Sequence, residues 1–317
     1  AMLAENIYYN PHLKINVLDP DMLKEIKFEL GFMIFRFLYT FNMEICEKYL
    51  NEKRHLSLRD VLTLINFLGK CGGLPIQDAY KNGLHVMTLD SLGMFLDKHQ
   101  REKVMNEIDG LINDIISQTM YIKDKSIIFQ KSETQMEPEQ KYISGLFSVP
   151  IKQSKLKKPV NFSTESRRVQ SNLEKLMRAM QIEKSILLEG SPGVGKSSLI
   201  EFLAYKTGNK LLKINISEHT DLMDLLGCDV PKAQDVADII KGKLEFVWSD
   251  GLLLKALKKG CWILLNELNL ANQTVLEGLN ACLDHRGAVF IPELNKEFIR
   301  HQNFRIFATQ NPTQQGG

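Results

Sequence analysis

Paired cysteines are missing from this sequence. Its five (Cys46, Cys71, Cys228, Cys261, Cys282) are odd in number, widely spaced and contain no Cys-x-x-Cys, which excludes a disulfide framework and a thiolate zinc site and fits a reducing compartment. A charge excess is missing too. Lys+Arg 40 against Asp+Glu 38 leaves a net charge of +2, without the basic footprint that nucleic-acid binders carry, so direct sequence-specific DNA or RNA binding is not expected. No apolar run approaches the roughly 20 residues of a membrane helix, and the start has no basic stretch followed by an apolar one, so no membrane partner is expected. The seven histidines show no H-E-x-x-H spacing, the pattern in which two imidazoles on one helix face grip a metal. What remains is a chain of 317 residues, 44% hydrophobic, long enough for two domains with separate cores.

Apolar side chains recur at helical spacing from residue 22 to 50 (Met22, Ile26, Phe28, Leu30, Met33, Ile34, Phe37, Leu38, Phe41, Ile45), which predicts a largely buried helix with a break near Gly31. Ser57 ahead of Leu58, Val61, Leu62, Leu64, Ile65 and Leu68 predicts a capped second helix ending at Gly69 or Gly72-Gly73. Two more helices, at about 76–95 and 97–117, complete an all-helical unit over 1–120. From 121 to 165 the pattern loosens into a linker, in which Met120 to Gln130 reads as a strand or short hairpin. Its Lys155, Lys157 and Lys158 read as a solvated connection rather than an RNA contact.

Over 166–317 the period changes. A helix (Val169 to Met180) leads into short apolar strands at Ser185 to Leu188, Leu211 to Ile214, Trp262 to Leu265 and Phe304 to Ala308, with helices between them. That alternation predicts an α/β unit, a parallel sheet with helices on both faces. Met177, Met180 and Met223 read as core.

The chemistry-bearing signal is Gly190-Ser191-Pro192-Gly193-Val194-Gly195-Lys196-Ser197, a full G-x-x-x-x-G-K-[ST] between a strand and a helix. Glycines let main-chain N–H groups turn onto phosphates, and the following helix, opening through Lys196, Ser197 and Ser198, adds its dipole. In this pattern Lys196 reaches the β- and γ-phosphates and Ser197 ligates Mg²⁺. The implied cofactors are ATP or ADP with Mg²⁺. Cys261 to Glu267 is an apolar strand ending in a polar pair, the layout of a Walker B segment. Its first polar position is normally Asp, which anchors the metal shell; Asn266 keeps an acceptor oxygen and loses a charge. Loss of such a partner costs about 10- to 100-fold in metal affinity or activity, so binding with slow hydrolysis is one reading. A non-hydrolysing module, with ATP as structural glue, is the other. Glu267 is placed to polarise the attacking water, and Asn311, at the tip of the strand Phe304 to Ala308, to hold that water with it. Asp284-His285-Arg286 reads as a polar loop.

These motifs carry a resemblance. Leu187 to Ser198, Ile214 to Leu226, Ile263 to Ala271, Leu276 to Gly287 and Ala308 to Gly317 together resemble the midasin family, giant dynein-related AAA+ ATPases of large-ribosomal-subunit maturation. Leu56 to Phe67 and Gly83 to Gly93 resemble the small lid domain of such a module. The resemblance implies an α/β P-loop NTPase (AAA+) large domain preceded by an all-helical lid-like domain: the lid of one module and the C-terminally truncated large domain of the next. It implies Arg59 as the lid's sensor-2 arginine, Asn311 as sensor 1, an insert at Ser217 to Gly251 and a hairpin at Ala288 to Arg300. The arginine finger would lie outside the chain. As partners it implies neighbouring modules of one polypeptide ring and the pre-60S particle with its assembly factors. The activity would be an ATP-driven, chaperone-like hydrolase working in the nucleus (nucleolus and nucleoplasm). Asn266 departs from the family's Asp, as in a degenerate or engineered module. MoxR-like chaperones and restriction-system GTPases share the clade and are the rival assignment.

Overall fold

The computed structural model describes residues 7, 10, 13–50, 55–90, 96, 98–130, 140–152, 162–231, 246–283 and 287–312. Lys155, Lys157, Lys158 and the Asp284-His285-Arg286 loop lie outside them. Two compact units emerge. One takes the residues up to 130 with 143–148 and 167–182; the other takes 140–142, 149–152, 162–166 and everything from 183 onward.

The helical unit opens with α1 (Pro20–Thr40), whose Asp19 cap accepts from the Asp21 N–H and whose first residue is proline, both favoured at a helix start. Gly31 does not break it. The irregularity comes nearly three turns after the glycine, as a π-helical segment at Phe41–Cys46 leading into the short α2 (Glu47–Leu50). Nor is α1 buried all round: Ile26, Leu30, Met33, Ile34 and Phe37 face the core, whereas Phe28, Phe32, Phe35 and Tyr39 are more than half exposed. Helices α3 (Leu58–Lys70) and α4 (Ile76–Met87) pack closely because Gly83 lacks a Cβ, which would stand 2.4 Å from Leu64 Cδ1. The buried Tyr80 hydroxyl ties α4 to α1 by donating to the Met33 carbonyl at 2.9 Å. Helix α5 (Lys98–Ser117) buries Val104, Ile108, Ile112 and Ile115.

Two sequence boundaries move. Residues 121–130 are no linker and no regular strand. Ile122, Ile127 and Phe129 are buried in the helical unit, and the segment is held by single bridges, Ile15 with Phe129 and Pro75 with Ile128. Such isolated pairings to distant loops leave no local period to read. The helix expected at the head of the α/β unit, α6 (Arg167–Ala179), packs instead with the helical unit, where the Arg178 guanidinium grips the Asp90 carboxylate at 2.9–3.2 Å and the Asn82 side chain at 2.9 Å. Between 130 and 167 the chain also forms an unforeseen ribbon, β1 (Lys141–Ser144) with β2 (Phe147–Pro150).

The α/β unit is built on four strands: β3 (Ile186–Glu189), β4 (Leu211–Asn215), β7 (Trp262–Asn266) and β10 (Arg305–Gln310). All pair in parallel in the order β3-β10-β7-β4. The order follows hydrophobicity. The central pair, Trp-Ile-Leu-Leu and Ile-Phe-Ala-Thr, is buried on both faces, as continuous apolar runs in parallel sheets are, whereas Leu187 on the edge strand β3 is 43% exposed. Helix α7 (Lys196–Lys206) packs on β7 and β10. Helix α9 (Leu252–Lys259) packs on β4 and β7, joined in one core by α8 (Leu222–Leu226) and α10 (Gln273–Leu283).

The insert region folds, where described, as α8 and an antiparallel ribbon of β5 (Gly227–Pro231) with β6 (Phe246–Asp250); 232–245 lie outside the described residues. A ribbon of β8 (Ala288–Ile291) with β9 (Lys296–Ile299) precedes β10. Met177 and Met180 are core, but Met223 is 63% exposed, because α8 is a short surface helix with only Leu225 buried. No helix of the described residues is long and apolar enough to cross a membrane. Burial pushes the Cys71 and Cys282 thiols up to about 12, which leaves them unreactive near neutral pH.

Candidate functional site

All four core strands run the same way, so their C-terminal ends line one rim, where parallel sheets place ligands. Lys196, Ser197, Asn266, Glu267 and Asn311, singled out in the second half of the sequence, meet on that rim. Strand β3 ends at Glu189 and the chain turns through Gly190 to Gly195, with Gly193 at φ 78° and Gly195 at φ 86°. These left-handed conformations suit glycine, and nothing lies within 4 Å of where a Cβ would stand on either. Gly195 is the cap residue of α7, so the first amides of that helix open onto the loop. Ser191, Pro192 and the 61%-exposed Val194 form its outer arc.

Lys196 folds back under this arc. Its Nζ donates to the Gly190 carbonyl at 2.7 Å, the Ser191 carbonyl at 3.1 Å and Asn311 Oδ1 at 3.1 Å. Ser197, the next residue of α7, donates from Oγ to Asn266 Oδ1 at 2.8 Å. Ser198, the next residue, is exposed. Asn311 Nδ2 donates to Glu267 Oε2 at 2.8 Å, so one amide joins the lysine to the carboxylate. Glu267 has a left-handed backbone, φ 58°, uncommon outside glycine and asparagine. It ends β7 abruptly and lifts the carboxylate out of the strand direction toward Asn311.

The structure thus brings Lys196, Ser197, Asn266, Glu267 and Asn311 into one hydrogen-bonded cluster. Arg59 belongs to the helical unit and stands exposed in the first turn of α3. Sequence reading missed three members of the rim. Thr309, 2% exposed, donates to Asn266 Oδ1 at 3.3 Å and accepts the Glu267 N–H at 3.4 Å. Asn215, at the tip of β4, accepts from Asn266 Nδ2 at 2.9 Å. Asn269 accepts the Asn311 N–H at 3.4 Å. A polar residue closing an otherwise apolar strand was the available signal for Thr309 and Asn215.

The donor set fits a Mg²⁺-bound nucleotide. Main-chain amides, a helix N-terminus and an ammonium suit phosphates, and the Ser197 and Asn266 oxygens are the hard ligands Mg²⁺ takes when phosphates and waters supply the rest. No cluster of three or more His, Cys, Asp or Glu that could cage a metal exists among the described residues, so the ion's charge would be met mainly by the ligand it accompanies.

Comparison with known proteins bears on the same residues. Residues 185–317 match the AAA domain of the dynein-related subfamily. Midasin of Dictyostelium discoideum is 40% identical over 283 residues, covering 84% of this chain and 5% of that protein. Midasin of Giardia intestinalis is 48% identical over 161 residues, covering 51% of this chain and 3% of that protein. An uncharacterized protein of Staphylococcus saprophyticus is 32% identical over 132 residues, 42% of this chain and 48% of its own length. The chain therefore spans only a small part, 5% or less, of the midasins it matches.

Proposed function

Because this chain is a midasin-related segment carrying a dynein-related AAA domain, an ATPase fold with a nucleotide site, we propose that the rim around Lys196 binds ATP with Mg²⁺ and hydrolyses it in the full-length protein. The observation that carries the reading is the joint placement of Ser197 Oγ on Asn266 Oδ1 and of Lys196 and Glu267 on opposite ends of the Asn311 amide. The loop amides of Gly190 to Gly195 and Lys196 take the phosphates. Ser197 and Asn266 hold Mg²⁺, which would neutralise charge developing on the transferring phosphoryl group. Glu267 orients and polarises the attacking water with Asn311, accepting its proton as the water oxygen bonds to the γ-phosphorus and the bond from that phosphorus to the bridging oxygen breaks, releasing ADP.

At the level of the whole protein, turnover moves a ring of such modules so that assembly factors leave pre-60S particles in the nucleus. The support is the similarity to midasin; the geometry described above concerns one nucleotide site. Arg59 would act as the lid's sensor in that ring.

A second reading has a specific observation behind it. Asn266 puts a neutral amide where a charged ligand supports the metal, which suits a module that holds nucleotide without turning it over. Asn266→Asp separates the two. In the full-length ring we expect Mg²⁺-supported turnover at this site to rise about 10- to 100-fold, the usual weight of such a partner, measured as steady-state phosphate release. Turnover that stays at the native level in the Asp variant would favour the static module.

A further inference from the structure

The polarity of the hydrogen bonds around Asn266 gives Thr309 a task. A carboxamide has one accepting oxygen and one donating nitrogen of nearly the same shape, and only its partners decide which way it faces. The Glu267 main-chain N–H can only donate, and it donates to Thr309 Oγ1 at 3.4 Å. That contact takes a lone pair of the hydroxyl and leaves its single proton for Asn266 Oδ1 at 3.3 Å. Ser197 Oγ donates to the same oxygen at 2.8 Å, and on the far side Asn266 Nδ2 donates to Asn215 Oδ1 at 2.9 Å. The bonds therefore run in one direction, from a main-chain amide through a buried hydroxyl to the oxygen beside Ser197. Asn215 is a weak lock by itself, because its own side chain is an amide that can turn over. Thr309 is the anchored one: it is 2% exposed on a central strand, and its partner is backbone.

We propose that Thr309 is a positioning residue that holds the Asn266 amide with its oxygen, and not its NH₂, toward Ser197, and so lets a neutral side chain serve a Mg²⁺-nucleotide. The proposal rests on the nucleotide-site reading above. It carries a dependence that a purely structural threonine would not. A carboxylate accepts through both oxygens and needs no such orientation, so Thr309 matters when residue 266 is Asn and loses its importance when it is Asp.

The test is nucleotide affinity of the chain, with Mg²⁺ and with chelator, in Thr309→Val, Thr309→Ser, Asn266→Asp and the Asn266→Asp/Thr309→Val double variant, a double-mutant cycle. Thr309→Val keeps the shape and removes the hydroxyl. It should lose about tenfold of the Mg²⁺-dependent affinity, the lower end for loss of a supporting partner, while affinity in chelator stays native. Thr309→Ser should restore the native value, and in the Asp background Thr309→Val should change affinity less than about twofold, since a carboxylate needs no orientation and the effects of the two positions are therefore coupled, not additive. Equal losses in both backgrounds would show a merely structural hydroxyl and overturn the assignment, as would a Thr309→Val chain with native Mg²⁺ dependence. Should Thr309→Val not melt as the native chain does, Thr309→Ala carries the same comparison. A native chain without affinity for nucleotide would overturn the site itself, an outcome distinct from failure of the Thr309 role.

Discussion

Lys196→Ala should weaken ATP binding by about two to three orders of magnitude while leaving the thermal transition of the chain nearly where it was. Charge-assisted hydrogen bonds contribute about 1.5–3 kcal/mol each, and an ammonium that reaches two phosphates makes at least two of them; at about 1.5–2 kcal/mol each, the lower part of that range for a partly exposed group, they total roughly 3–4 kcal/mol or a factor of 10²–10³. The structure shows why stability should not follow. Lys196 is only partly buried, and its present partners, the Gly190 and Ser191 carbonyls and Asn311, stand at a rim open to water. Lys196→Arg should not rescue binding, because a planar fork cannot occupy the seat of a compact ammonium under the same arc. Isothermal titration of the chain with ATP and Mg²⁺ reads both variants. An alanine variant that binds within threefold of the native chain would remove the basis for the proposed function.

The second large effect is on folding. Phe307→Ala should destabilise the α/β unit by about 3–5 kcal/mol, the range for deleting a buried aromatic ring. Phe307 is 0% exposed in the strand between β3 and β7, and its ring meets the Trp262 ring at 5.0 Å with the planes tilted by 51°. Both neighbouring strands lose packing at once, and the cavity cannot close without moving the sheet. For a unit of this size that corresponds to a fall in midpoint of roughly 6–20 °C. Differential scanning calorimetry should show it in the transition that added nucleotide raises in the native chain, and a change below about 1 kcal/mol would contradict the packing described. Thr309 and Asn311 of the site sit two and four residues further along the same stretch of chain, so nucleotide affinity should fall with it.

The residues that make local sense alone were legible in the sequence. The phosphate loop announces itself through glycines that must take left-handed backbone and a lysine-serine pair that opens a helix. The central strands announce themselves because Trp262 to Leu265 and Ile306 to Ala308 are apolar on both faces, which only a covered parallel sheet satisfies. Ser57 gave the start of α3, with Asp60 accepting its N–H at 2.9 Å. What depended on distant partners was not legible. Arg178 reads as an ordinary charge at the end of an amphipathic helix until Asp90 is placed against it, and that contact decides which unit α6 joins. Phe129 reads as part of a strand until its bridge is seen to be one residue long. The exposed aromatics of α1 have the same period as its buried ones, and composition cannot say which row faces the core. Thr309 was hidden differently: its importance lies in the direction of a hydrogen bond, which spacing does not encode.

The twisted backbone at Glu267 sets fold and chemistry against each other. Any side chain at φ 58° is held in a conformation that L-residues avoid by about 1–2 kcal/mol, so a glycine there would relieve the strand end and leave the sheet at least as stable. It would also delete the carboxylate that Asn311 grips. Random drift toward a more robust domain therefore runs through loss of the acid, whereas Glu267→Gln retains the awkward turn and silences only the charge, which makes it the cleaner tool for trapping an occupied site.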